Sequence, residues 1–402
     1  MMTGKLVAAA LGLTLAIAGT ARAQTVEIEY WQYTFAQRVQ AIDELIKRFE
    51  AANPGIKVKH THVPYDDFRL KIAAAIPAGQ GPDVVQLFYG WLHDYLKAKL
   101  LQPLPPELFD PAEIEREFYP LVKQMKVDGQ YYAVPTAVRS LALFWNRKLM
   151  REAGLDPAKP PQTLDELVEA AKKLTKRDAA GNLLQAGIAL DMGGQPYAAD
   201  GRSVAYNGPA GARAVAWYTD LVARHRVSQF GFLTDGVTAF RSGKAGFTID
   251  GSFRLAAFDG QAGLDYAVGE LPTHEGRRSN FASYWVNGIT PKATGAKKEA
   301  AVKFLRFLTT PAAMELWLEK VGELPARKTV AERDAVRSHP KYGAFIRGLA
   351  YAEATFFVNE TAQRKLFIDL VDRVALKAQP VGESVAQAAA EDQKLLDAFF
   401  AK

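Results

Sequence analysis

Two periods run along the chain. Val26 and Ile28 alternate with Glu27 and Glu29, and the run to Trp31 reads as a strand with one covered face. Val39, Ile42, Leu45, Ile46 and Phe49 then recur at helical spacing, with Asp43, Glu44, Lys47 and Arg48 opposite. Asn53-Pro54-Gly55 stops this helix, because proline cannot continue it and glycine tolerates the turn. Ile56 to Val63 is a second strand, and Asp66 is expected to cap a short helix carrying Phe68, Ile72 and Ile76. After the loop Pro77 to Pro82, Asp83 to Leu87 is a compact apolar strand. This order predicts an α/β layer on a mainly parallel sheet.

The middle of the chain repeats that grammar. Tyr131 to Trp145 is long and strand-like, with an interruption expected at Pro135. Thr163 followed by Glu166 fits a capping box, opening a helix through Leu167, Ala171 and Leu174. Ala210 to Ala223 carries Ala214, Trp217, Tyr218 and Leu221 at helical spacing. Thr238 to Phe240 and Gly246 to Asp250 flank a Gly-Lys turn, and Tyr266 to Leu271 and Tyr284 to Thr290 read as strands. Glu299 to Thr309 is helical, and Thr310-Pro311 restarts a helix with a cap and a first-turn proline. No internal repeat or flexible linker separates the parts, which predicts two α/β halves joined by strands.

Composition removes several classes. The 402 residues are 49% hydrophobic, ample for a large core, and the absence of cysteine excludes disulfide scaffolds, thiolate metal sites and cysteine nucleophiles. Formal charge is +6 with no long basic run, so no nucleic-acid partner is expected. Residues 1–23 read as a secretory signal: Lys5 precedes the apolar stretch Leu6 to Ala18, and Ala21-Arg22-Ala23 offers a small-x-small cleavage pattern. That stretch is shorter than the roughly 20 residues of a membrane-spanning helix. Cleavage after Ala23 lowers the charge to +4 and leaves a soluble periplasmic chain, without a cysteine to carry a lipid anchor.

Enzyme signatures are thin. There is no phosphate-binding glycine loop, dinucleotide fingerprint or nucleophile elbow. His60 and His62 share a strand face but lack a nearby third ligand, so neither a metal nor another cofactor is expected. Aromatics stand out instead: Tyr30-Trp31-Gln32-Tyr33, Phe88-Tyr89-Gly90-Trp91 and Tyr284-Trp285 each sit at a strand end. Two placements fit them. They either face a cleft at the strand ends, where sugar C–H groups pack on rings, or fill the core.

With these segments in place the chain resembles the extracellular solute-binding proteins of sugar-type ABC importers, the maltose-binding-protein superfamily, along nearly all of its mature length. The carriers, in order, are Phe49 to Val58, Gly81-Pro82-Asp83-Val84-Val85, Asp128 to Pro135, Trp145-Asn146 and Ala153 to Pro157. Ala239 to Ala245, Ile249 to Phe253, Leu271-Pro272, Lys298 to Ala301 and Gly322 to Arg327 follow. The resemblance implies an α/β two-lobed periplasmic binding protein fold (type II-like). Its three interlobe crossings fall near Val138 to Leu141, Tyr266 to Leu271 and Gly322 to Arg327. One lobe is then 24–138 with 272–322, and the other 141–268 with 327–402.

It also implies a non-enzymatic monomer that binds a small solute, a carbohydrate, between its lobes and delivers it to an inner-membrane ABC permease. Carried over position by position, the contact residues are Trp31, Tyr33, Gln86, Tyr89, Trp91, Arg139, Asp250, Phe253, Arg254 and Trp285. Phe253 stands where relatives often place a stacking tryptophan. The alternative for Arg139 and Arg254 is an interlobe ion pair. Those arginines also motivate an anionic solute, a uronate or glycerol phosphodiester. A glycoside-processing enzyme would need paired carboxylates, for which Asp250 and Glu323 are the candidates. The resemblance breaks after Leu190, where Asp191-Met192 runs directly into Gly193-Gly194 and Tyr197 follows. There a trimmed helix and a wider cleft, with the fold intact, are expected ahead of the alternative, a damaged paralogue.

Overall fold

The computed structural model describes residues 25–190 and 202–401. The signal segment and the shortened stretch Asp191 to Tyr197 lie outside the described residues. Thirteen strands are described: β1 (Val26–Tyr33), β2 (Ile56–Val63), β3 (Val84–Phe88), β4 (Lys126–Val127), β5 (Gln130–Tyr131), β6 (Ala133–Asn146) and β7 (Lys176–Arg177) come first. Then come β8 (Leu183–Ala189), β9 (Ala245–Gly251), β10 (Tyr266–Gly269), β11 (Asn280–Ile289), β12 (Leu324–Pro325) and β13 (Ala352–Ala354). The main sheet runs β2-β1-β3-β11-β6-β9-β8-β7, with β10 and β12 on β6 and β13 on β11.

The long strand β6 joins two α/β lobes. Its first part pairs with β11 from Ala133 to Ser140, and its second pairs with β9 from Leu141 to Trp145. The hand-over at Ser140 and Leu141 is one crossing. A second lies between β10, paired with residues 143–146 of β6, and β11. A third is β12, whose Leu324 and Pro325 pair with Val138 and Ala137. Pro135 does not interrupt β6. The register with β11 shifts between Trp285 and Val286, and this bulge absorbs the missing amide hydrogen.

Around the first lobe β1 pairs in parallel with both β2 and β3, as the strand–helix order requires. The helix Ala36–Ala52 buries Ile42, Leu45, Ile46 and Phe49 as expected, but the first buried side chain on that face is Arg38 rather than Val39. The helix Tyr65–Ala75 takes Pro64, not Asp66, at its cap. The capping box forms as read: Thr163 Oγ1 accepts from the Glu166 amide at 3.1 Å. Glu166 reaches one residue past the cap, to the Gln162 amide at 2.7 Å. Thr310 caps the helix Pro311–Val321. Thr238 to Phe240 lie in the helix Gly236–Arg241, ahead of the turn into β9. A second core (Leu143, Trp145, Leu167, Leu174, Phe247) packs behind the β8–β9 half.

The chain's end packs against the segment that follows β3. His93 meets the edges of Phe356 and Phe399, each with ring centroids 5.0 Å away. Burial in this apolar slot pushes its pKa down to about 4. Its neutral form fits the slot, so stability is full above pH 6.5 and falls as pH drops from there towards 4. The loss amounts to about 3 kcal/mol at most. Urea titrations across that window are expected to show the slope in wild type and a flatter one in His93→Phe; equal slopes contradict the assignment.

Candidate functional site

Three crossings bring strand ends from both lobes to one place, and the aromatic side chains there form a continuous wall. Tyr33, closing β1, stacks on Trp285 of β11 at 4.2 Å and 29°. Trp91 meets Trp285 edge-on at 5.5 Å, and Phe88 lies 5.7 Å from it. Tyr65 packs edge-on against Tyr33 at 5.6 Å and against Trp285 at 6.2 Å, and at 42% exposure it is the most open ring of the group.

Beneath the wall lies a buried ion cluster. Arg38 is fully buried, its guanidinium carbon 4.9 Å from the Tyr33 ring and 5.1 Å from Trp285. It donates twice to Glu323, at 2.6 and 2.7 Å, and to Gln86 Oε1 at 3.2 Å. Arg139 Nε donates to Glu323 Oε1 at 2.6 Å, and Trp317 Nε1 to Glu323 Oε2 at 2.8 Å. Gly322 sets this carboxylate in place. It ends the preceding helix in the left-handed region, φ 77°, where a side chain would be strained. Its virtual Cβ would also stand 3.1 Å from the Ser252 carbonyl. Burial alone raises the Glu323 pKa, but Arg139 and Arg38 outweigh it and hold the carboxyl at about 2. Two guanidiniums against one carboxylate leave the cluster with a net charge of +1.

Arg139 joins this cluster to the other lobe. Its Nη2 donates to Tyr33 Oη at 3.4 Å, and its guanidinium carbon lies 4.3 Å from the Phe253 ring. Arg254 lies over the same ring at 5.0 Å and donates through Nε to Asp250 Oδ2 at 2.9 Å. Phe253 therefore has guanidiniums as its ring partners.

The structure thus brings Tyr33, Trp91, Arg139, Phe253, Arg254, Asp250 and Trp285 into one chain of contacts across the lobes. The other three of the predicted set are each held in a different way. Gln86 is buried and spent on Arg38; Tyr89 stacks on Tyr284 at 4.5 Å in the core. Trp31 is buried with Lys71 Nζ over its ring. Arg139 makes its ion pair with Glu323 at a crossing, and Arg254 pairs within its own lobe.

Sequence reasoning missed Arg38, Tyr65 and Glu360. Arg38 was visible as a lone cation four residues before Ile42 on the apolar helix face. Glu360, 8% exposed at the start of the helix Glu360–Ala375, accepts from Trp91 Nε1 at 3.4 Å, and Arg69 donates to Thr361 Oγ1 at 2.5 Å. Burial pushes the Tyr65 phenol up, and the nearby Glu360 carboxylate adds to the shift. Asn359, which caps this helix by accepting from the Ala362 amide at 3.1 Å, is the one local signal for it. Among the described residues no cluster of His, Asp and Glu could hold a metal ion. No described helix is long and apolar enough to cross a membrane.

A family model for bacterial extracellular solute-binding proteins matches residues 44–344. The chain is 28% identical over 351 residues to the sn-glycerol-3-phosphate-binding periplasmic protein UgpB of Escherichia coli strain K12, covering 80% of this chain and 78% of that protein. In structure it is similar to the cyclic alpha-maltosyl-1,6-maltose binding protein of Arthrobacter globiformis, with a TM-score of 0.79 and 20% identity over 93% of this chain and all of that one. It is also similar to UgpB of Mycobacterium tuberculosis in complex with glycerophosphocholine, with a TM-score of 0.78 and 20% identity over 93% and 99% of the two chains.

Proposed function

Because the chain belongs to the bacterial extracellular solute-binding protein family, as the substrate-binding component of an ABC importer, we propose that it binds a carbohydrate between its lobes. The observation that carries the carbohydrate is the wall of Tyr33, Tyr65, Trp91 and Trp285, whose faces suit sugar C–H groups. Among the described residues Trp285 Nε1 is buried without a hydrogen-bond partner, a donor available to a hydroxyl. Arg139 and Arg254 already donate to carboxylates, which favours a neutral solute.

The residual +1 of the Arg38–Glu323–Arg139 cluster favours a second reading, a glycerol phosphodiester, in line with the solutes named for the two UgpB relatives. Catalysis is not part of the reading. Glu323, held ionised by two arginines, is unsuited to donate a proton as a general acid, and Asp250 is occupied by Arg254 and its own following amide. In this reading residues 24–138 with 272–322 form one lobe and 141–268 with 327–402 the other. The signal is removed after Ala23, and the mature monomer serves an inner-membrane permease.

A thermal-shift panel of mono- and oligosaccharides, with glycerophosphocholine and sn-glycerol-3-phosphate beside them, tests the reading. The true solute is expected to add about 2.7 kcal/mol at a hundred times its dissociation constant. A shift with a phosphate ester and none with any sugar replaces the first reading by the second.

A further inference from the structure

We propose that Asn207 is a site of spontaneous covalent modification: the Gly208 backbone nitrogen closes on its side chain, and the ring opens to aspartate or isoaspartate. The inference stands apart from the choice of solute. Asparagine before glycine is the dipeptide most open to this chemistry, because glycine sets no Cβ beside the attacking nitrogen. The chain has two, Asn207-Gly208 and Asn287-Gly288, and the fold treats them in opposite ways. Asn287 lies in β11 between β3 and β6 and is 2% exposed. Its Oδ1 accepts from Tyr30 Oη at 2.9 Å and its Nδ2 donates to Thr136 Oγ1 at 3.4 Å. A Cβ at Gly288 would stand 2.9 Å from Leu101, so neither backbone nor side chain has room to turn into a ring. Asn207 is exposed, in the turn ahead of the helix Pro209–Ala223. A Cβ at Gly208 would meet nothing within 4 Å, so the space that ring closure needs is open.

The step needs only water. The Gly208 nitrogen gives its proton to water or hydroxide and bonds to Asn207 Cγ, and the side-chain nitrogen leaves as ammonia. Water then opens the imide. Attack at Cγ gives aspartate; attack at the main-chain carbonyl carbon gives isoaspartate, whose backbone is one carbon longer. What that carbon does follows from the neighbours. The segment before the turn is fastened to the helix Val381–Phe400. Val204 N donates to Gln393 Oε1 at 3.0 Å, Gln393 Nε2 to the Arg202 carbonyl at 3.0 Å, and Tyr206 Oη to Asp392 Oδ2 at 3.3 Å. Beyond the turn the helix starts at once, and a Cβ at Gly211 would stand 1.9 Å from the Tyr206 carbonyl oxygen. A longer backbone between two fixed parts has to dislodge one of them. Aspartate adds only a charge ahead of a helix N-terminus, where a negative charge is favourable.

The test is exact-mass peptide mapping of the protein aged in buffer, folded and in urea, with fragmentation that separates aspartate from isoaspartate. In the folded protein the tryptic peptide Ser203–Arg213 is expected to gain one mass unit about tenfold faster than Asn287 does, or better, and faster at pH 8 than at pH 6. In urea the two sites are expected to convert at similar rates. Gly208→Ala, which the open space and the ordinary φ of −101° admit, is expected to slow the folded protein's conversion about tenfold. Equal rates at Asn207 and Asn287 in the folded protein, or a Gly208→Ala variant as fast as wild type, overturns the site. A difference that persists in urea overturns the part given to the fold. Protein carrying isoaspartate is expected to exchange amide hydrogens faster in the helix Pro209–Ala223 than Asn207→Asp does; equal exchange overturns the loosening.

Discussion

Glu323→Gln is expected to lower the free energy of unfolding by about 3–5 kcal/mol at neutral pH, because it removes the one counter-ion of a buried guanidinium. Glu323 is 1% exposed and answers Arg38, Arg139 and the Trp317 indole. The amide keeps the shape and loses the charge, and Arg38, fully buried under the aromatic wall, has nowhere to find another. The same residue predicts an acid transition. Its pKa falls from an ordinary 4.5 to about 2 on folding, so its contribution is complete above pH 4.5 and is lost as pH falls from there through 2. Urea titrations at pH 7, 4.5 and 3 are expected to show that loss in wild type and not in the glutamine variant. A cost below about 1 kcal/mol at pH 7 would falsify the role given to the ion cluster.

Replacing the cluster as a whole separates stability from function. A buried ion pair gives back in desolvation much of what it gains in attraction, so an apolar set of similar volume is tolerated. Arg38→Met, Glu323→Leu and Arg139→Met together are expected to recover most of the stability that Glu323→Gln loses. Solute binding is expected to stay impaired, since Arg139 is the side chain that touches both Tyr33 and Phe253.

The readability of this fold followed the range of the forces that made each part. Strands β1 to β3 and their helices were legible because local period and caps fixed them: Ile42, Leu45, Ile46 and Phe49 are buried as spaced, and Thr163 and Thr310 cap as read. Pro135 misled because proline forbids one hydrogen bond rather than a strand, and a bulge opposite Trp285 dispensed with that bond. The site was half legible. Aromatics at strand ends marked the right region, but ring against core is decided by contacts between residues far apart in sequence. Tyr89 went inward because Tyr284 offered it a stacking face 195 positions away, while Tyr33 met Trp285 at the crossing. Arg139 and Glu323, 184 positions apart, become neighbours only when β12 lies against β6.

Trp285→Ala is expected to cost about 3–5 kcal/mol of stability, the range for emptying a buried tryptophan site, and to weaken solute binding by roughly a hundredfold or more. The indole is 6% exposed and touches Tyr33, Tyr65, Phe88 and Trp91, so its loss takes the wall apart and leaves the Arg38 guanidinium without one of its three rings. Destabilisation alone could produce weaker binding, and Trp285→Phe distinguishes the two causes. Phenylalanine keeps a ring against Tyr33 and is expected to restore most of the stability, but it has no N–H. In the native protein Trp285 Nε1 is buried and donates to no described residue. If that donor serves a solute hydroxyl, the phenylalanine variant folds nearly as well as wild type and binds about tenfold more weakly, the worth of about one good hydrogen bond. Wild-type affinity in Trp285→Phe would mean that the indole N–H faces no solute and that only its ring takes part.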